Sequence, residues 1–195
     1  MQSHTYYDEA LYFIGLIPHA ELREEIRLLK EEMKENYHAK HALKSPAHIT
    51  LQMPFKRRGK DEQAIISSLN DFAQKCRPFI VDLSGFGCFR PRVIFIKVTD
   101  PDPIIHLHRE LLTVLREELH FEPGDVMSVV LPHITIATRD IEASMFRQAW
   151  PLYDERQFNS SFEVSSIFLL KHNGRSLDIF REFKFGNQDA ARKSH

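Results

Sequence analysis

The sequence predicts an α+β protein of two pseudo-symmetric β-α-β-α-β lobes, with mostly antiparallel sheets facing a central groove and helices on the outside. Three observations lead there. Short apolar runs of strand length alternate with stripes of helical period. The order of these elements repeats once along the chain. A short strand with a His-Ile-Thr core stands at the same place in each repeat, at His48-Ile49-Thr50 and His133-Ile134-Thr135. The 195 residues suffice for one fair-sized core or two small lobes. The whole chain is therefore read as a single bilobal domain, with lobe one about 1–90, lobe two about 91–185, and 186–195 a polar tail.

The elements follow in order. Leu11 to Ile17 is an apolar and aromatic run too short for a helix and closed by Pro18, which reads as a buried strand. Leu22, Ile26, Leu29 and Met33 then recur at helical spacing, with Glu21, Arg23, Glu24, Arg27, Lys30 and Glu31 assigned to the other face. Ser45 to Met53 alternates polar and apolar residues through its centre and reads as a half-buried strand. Ile65, Leu69, Phe72 and Cys76 mark a second helix, and Phe79 to Leu83 a strand that runs into a turn at Gly85 and Gly87. The series then restarts. Val93 to Val98 is a strand, Ile104, Leu107, Leu111 and Val114 or Leu115 stripe a helix behind Pro101 and Pro103, and Pro132 to Ile136 is again a short alternating strand. Ser144 to Trp150 is a weaker helical segment, and Phe162 to Leu170 and Leu177 to Phe185 are two final strands.

The composition excludes several classes of function. Lys plus Arg number 26 against 27 Asp plus Glu, so no global field draws the chain onto long nucleic acid or an acidic membrane, and phosphate recognition must be local. Cys76 and Cys88 make neither a disulfide framework nor a metal-type spacing, which fits a reducing cytoplasm. Met1 to Tyr7 has no basic segment followed by an apolar run, and no stretch approaches the roughly 18 apolar residues of a membrane span. The expectation is a cytoplasmic protein without a membrane partner.

The repeat puts its histidines in equivalent places. From Ile14 to His48 is 34 residues and from Ile96 to His133 is 37, while 31 separate His48 from Phe79 and 29 separate His133 from Phe162. Random placement of 11 histidines and the six threonines gives roughly a third of one His-x-Thr, yet two occur, both followed by an aliphatic residue. Residues two apart on a strand share a face. His48 with Thr50, and His133 with Thr135, therefore look away from the helices that cover Ile49, Leu51, Ile134 and Ile136.

His48-Ile49-Thr50-Leu51 and His133-Ile134-Thr135-Ile136, 85 residues apart, resemble the paired His-x-Thr-aliphatic motifs of the two-histidine phosphoesterase superfamily, which includes the 2′-5′ RNA ligase and cyclic phosphodiesterase proteins. The resemblance extends over nearly the whole chain. It implies His48 and His133 as the catalytic acid–base pair and Thr50 and Thr135 as phosphate-binding residues. The chemistry agrees: in-line hydrolysis of a 2′,3′-cyclic phosphate removes a proton from water on one side of phosphorus and gives one to the departing ribose oxygen on the other. Two imidazoles with an ordinary pKa of about 6.5 supply both steps, and two hydroxyls can donate to the non-bridging oxygens. No metal and no cofactor is required. The reverse reaction would join a cyclic end to a 5′-hydroxyl, but about 55 M water favours hydrolysis.

The expected function is a metal-independent phosphoesterase acting on a 2′,3′-cyclic phosphate or 2′-5′-type phosphodiester of RNA or a nucleotide, with RNA ends or cyclic nucleotides as partners. The alternatives are a non-catalytic RNA- or nucleotide-binding module and a phosphodiesterase for a non-RNA cyclic phosphate metabolite. Related proteins often carry an arginine shortly after the second motif. Arg139, six residues after His133, is a possible substrate-binding residue or a surface arginine paired with Asp140. Lys56, Arg57 and Arg58 form a short basic stretch after the first motif. His106 and His108 diverge on a helix and read as surface or structural, and His38 and His41 as solvated. Phe55, Phe86 and Phe89 are candidates for base stacking.

Overall fold

The computed structural model describes residues 9–186; the tail from Asn187 to His195 and the first eight residues, including Met1 to Tyr7, lie outside them. The elements run β1 (Glu9–Leu16), α1 (Ala20–Tyr37), β2 (Ile49–Arg58), α2 (Glu62–Ala73), β3 (Phe79–Phe89), β4 (Val93–Val98), α3 (Asp102–Glu117), β5 (His133–Ala137), α4 (Ala143–Glu155), β6 (Asn159–Val164), β7 (Ser166–His172) and β8 (Leu177–Lys184). The class is α+β, as the alternating periods predict.

All eight strands belong to one antiparallel sheet in the order β6-β3-β4-β5-β2-β1-β7-β8. β6 and β7 are joined by Ser165 alone, though five strands separate them in that order. A one-residue link between flanks so far apart requires the sheet to curl until they approach each other. The carbonyl oxygen of Ser165 also accepts the backbone N–H of Phe185 at 2.8 Å. The apolar run from Phe162 to Leu170, read as one strand, is thus two strands that turn a corner at Ser165.

The two halves of the sheet are not the two halves of the chain. One half holds β6, β3, β4 and β5; the other holds β2, β1, β7 and β8. A boundary near residue 90 cuts the hairpin that residues 90–92 close between β3 and β4, where Phe89 pairs with Val93 and Gly87 with Phe95. Tight antiparallel connections keep neighbours together, so β3 joins the strands that follow it. β1 meanwhile takes β2 on one side and β7 on the other, Phe13 lying opposite Leu170. Gly85 and Gly87 do not end β3. Gly85, with a φ of +62°, lies in an irregular step of the register between Leu83 and Phe86, and the strand continues to Phe89.

The helices cover the apolar face. α1 is capped at its start by the His19 side chain, which accepts the N–H of Leu22, and ends where His38 turns left-handed with a φ of 59°. Its buried stripe is Leu22, Ile26, Leu29 and Met33. Lys30, expected on the polar face, is buried with them. It stands four residues after Ile26 and three before Met33, so the spacing places it on the apolar side. α1 packs against β5 and α4, α4 against β3, and α2 against β8 and α3. Their stripes meet Ile49, Leu51, Ile134 and Ile136, all fully buried.

Candidate active site

The alternation that buries Ile49, Leu51, Ile134 and Ile136 leaves His48, Thr50, His133 and Thr135 half-buried on the opposite side. β2 and β5 lie next to each other, and Ile49 is opposite Ile134. Each of these residues follows its histidine. The two motifs are therefore related by a local twofold between antiparallel neighbours, and the repeat seen in the sequence becomes a symmetry of the site.

Each imidazole is fixed in the same way. His48 Nδ1 lies 2.8 Å from the carbonyl oxygen of Pro46, and His133 Nδ1 lies 2.6 Å from that of Leu131. A carbonyl oxygen only accepts, so Nδ1 carries the proton in both rings and Nε2 is left for chemistry. Burial holds the His48 pKa down at about 4, helped by the positive charge of Lys30 and by His133 and opposed by the Pro46 carbonyl. Burial also lowers the His133 pKa, opposed by the Leu131 carbonyl.

Lys30 escaped the sequence reading. It is 3% exposed, its Nζ donates to the carbonyl oxygen of Ser45 at 2.9 Å, and burial lowers its pKa to about 8. Ser45 precedes the Pro46 whose carbonyl orients His48, so this ammonium anchors the approach to the first motif. Gln52 performs a similar task for the second. It is fully buried on β2, its Nε2 donates to the carbonyl oxygen of Asp125 at 2.8 Å, and its Oε1 accepts the N–H of Met127 at 3.2 Å. That ties the strand of the first histidine to the segment leading into the second.

A cavity of about 300 Å3 has His48 and Thr135 among its lining residues, together with Arg139, His41, Lys44 and His172. Arg139 is exposed and has a φ of 61°. It is not spent on Asp140, whose Oδ2 accepts the backbone N–H of Lys40 at 3.1 Å. His41, read as solvated, is half-buried in this wall; its pKa is lowered by burial and by Arg139, raised by Asp140 and lowered by Lys44. His133 is placed among aromatic rings instead, 4.7 Å from Phe95 and 5.2 Å from Phe89 between centroids. Gly87 makes room for this arrangement, since a Cβ there would stand 2.5 Å from the Phe95 ring.

The remaining sequence candidates separate. Phe55 and Phe86 are buried, against Tyr12 and Phe121 and against Tyr153 and Phe158. Phe89, 41% exposed beside His133, is the one of the three near the site. Lys56, Arg57 and Arg58 continue β2, and the Arg57 guanidinium lies 4.0 Å over the Phe121 ring. His106 is exposed beside Glu110, whereas His108 is buried. Among the described residues no three His, Cys, Asp or Glu side chains come together as a metal site, and no helix is long and apolar enough to cross a membrane.

A curled antiparallel sheet with twofold-related His-x-Thr strands defines the class that the motifs resemble. The family model of the 2′-5′ RNA ligase superfamily matches residues 18–176. The chain belongs to that superfamily. A Bacillus pumilus (strain SAFR-032) protein named "Putative phosphoesterase" is 26% identical over 132 residues, 66% of this chain and 70% of the relative. TT0787 of Thermus thermophilus superposes with a TM-score of 0.64 at 19% identity, covering 91% of this chain and 99% of that one. Apo LigT of E. coli gives 0.62 at 18%, covering 92% and 99%, and LigT has also been crystallised with 3′-AMP. At these identities the structural likeness is one of fold.

Proposed function

We propose that the protein is a metal-independent phosphoesterase that hydrolyses a 2′,3′-cyclic phosphate or a 2′-5′-type phosphodiester of RNA or a nucleotide. The observation that carries this reading is the twofold at Ile49 and Ile134, whose antiparallel register puts each histidine across from the other motif's threonine, with both Nδ1 atoms bonded to the carbonyl two residues back and Nε2 left for proton transfer. His48 is the general base. Burial and the Lys30 charge keep it unprotonated near neutral pH, so its Nε2 can take the proton of the attacking water. His133 is the acid that protonates the departing ribose oxygen as its bond to phosphorus breaks and the bond from water forms. The negative charge of a bound diester raises both imidazole pKa values toward the working range. Thr50 and Thr135 donate to the non-bridging oxygens, where charge accumulates. Arg139, in the cavity with His48, binds the substrate. The complex of LigT with 3′-AMP fits a nucleotide ligand for this fold.

The test is incubation of chelator-treated protein with nucleoside 2′,3′-cyclic phosphates, cyclic-ended oligoribonucleotides and 2′-5′-linked dinucleotides, with products identified by chromatography. Turnover that survives chelation and disappears in His48→Ala and His133→Ala supports the reading. Activity that depends on added divalent ion overturns it, and tight RNA binding without cleavage replaces it with a binding module.

A further inference from the structure

We infer that the substrate carries a second phosphate, which enters the cavity beside His48 and is held by His41, Lys44 and Arg139. The inference rests on the phosphoesterase reading and specifies the substrate class of that site.

The charge lining the cavity exceeds what one diester needs. A cyclic or linear diester carries a single negative charge, and in the phosphoesterase reading it is served by His48, His133, Thr50 and Thr135, of which His48 and Thr135 line this cavity. Lys44 and Arg139 add two permanent cations, and His41 and His172 two imidazoles, while Ser45 and Thr138 contribute hydroxyls. No carboxylate belongs to the described lining. The chain's net charge is only −1, so this concentration of cations is local.

The two cations and the His41 imidazole come from separate segments. His41 and Lys44 belong to the short 3-10 turn His41–Lys44, and Arg139 to the segment after β5. They are close enough for Arg139 and Lys44 both to act on the His41 imidazole. The acid that also acts on it, Asp140, is turned to the Lys40 N–H. A guanidinium fork and an ammonium suit phosphate oxygens, and a terminal phosphate monoester brings about −1.5 to −2 charges at pH 7. A volume of about 300 Å3 is at the small end for ligand sites and admits a nucleotide-sized fragment. Leu11, Phe13 and Leu177 supply an apolar wall for its sugar or base.

The second phosphate can be the 5′-phosphate of a mononucleotide or the next phosphodiester of an RNA chain, and calorimetry distinguishes them. Full-length protein is titrated with a nucleoside 3′-phosphate, the matching 3′,5′-bisphosphate, and a 5′-hydroxyl dinucleotide ending in a 3′-phosphate. Titrations are repeated with Lys44→Gln, His41→Asn and Lys44→Gln/Arg139→Asn, asparagine being chosen because it tolerates the left-handed backbone at 139. The wild type should bind one of the two-phosphate ligands about ten times more tightly than the 3′-phosphate, and the double variant should lose most of that advantage. A gain confined to the bisphosphate assigns a terminal phosphate; a gain with the dinucleotide assigns a chain phosphodiester. No gain with either, or a gain the variants retain, overturns the inference. Binding is read without turnover, so failure to cleave a cyclic substrate counts against the phosphoesterase reading alone.

Discussion

Ile49 of β2 lies opposite Ile134 of β5, each one residue after a histidine whose Nδ1 is bonded to the carbonyl two positions back. A relay built on that pairing has two equivalent weak points. His48→Ala and His133→Ala should each reduce kcat by about a hundred- to ten-thousand-fold, and the double variant should lose much less than the product of the two. Thr50→Ala and Thr135→Ala should be milder. Steady-state rates on a cyclic nucleotide check this, and a single histidine variant with near-normal turnover would falsify the relay.

Lys30 should shift the acidic limb of the pH profile, which burial of His48 chiefly determines. Its positive charge lowers the His48 pKa, so Lys30→Met should move that limb of kcat/KM toward higher pH. It should also reduce kcat, because the Ser45 carbonyl loses its partner. Lys30→Arg keeps the charge and should leave the limb nearer its original position. A profile that keeps its shape in Lys30→Met would assign Lys30 to packing alone.

Acid should weaken the fold before carboxylates titrate. His48 moves from an ordinary 6.5 to about 4 on folding, so between those values the unfolded chain binds more protons and stability falls as pH falls. His41, His108 and His133 shift in the same direction. Urea melts should show a loss on the order of 1–3 kcal/mol from His48 between about pH 7 and pH 4.5. His48→Asn should flatten that slope; an unchanged slope in the variant would remove His48 from the linkage.

Gln52→Leu should be costly in two readouts. It strands the Asp125 carbonyl and the Met127 N–H, each at about 1–3 kcal/mol if left without water. Because that segment leads to His133, kcat should fall more than the loss of folded protein explains. Chemical denaturation combined with active-site titration separates the two effects.

The site was more legible in the sequence than the sheet was. Period-two alternation assigned His48, Thr50, His133 and Thr135 to one face, and the burial of Ile49 and Ile134 agrees with it. Strand partners were hidden because a buried strand carries no mark of its neighbour: nothing in Phe13 announces Leu170. The apolar run across Ser165 hid a corner for the same reason. Lys30 was missed because its chemistry was weighed before its spacing. His41 lies in a short turn with no period to read, and only the arrival of Arg139 from a distant segment makes it part of a wall.

The order of synthesis gives the interleaved strands a temporal meaning. The ribosome releases β1 and β2, with His48, well before β7 and β8 exist, so the half-sheet that supports the first histidine has an open flank until residue 184 has emerged. β3 to β6, a contiguous block carrying His133, has all its mutual partners by residue 164. The portion made first is thus finished last, and nascent chains halted after residue 164 but before β7 has emerged should expose the unpaired side of β1 to proteases and chaperones.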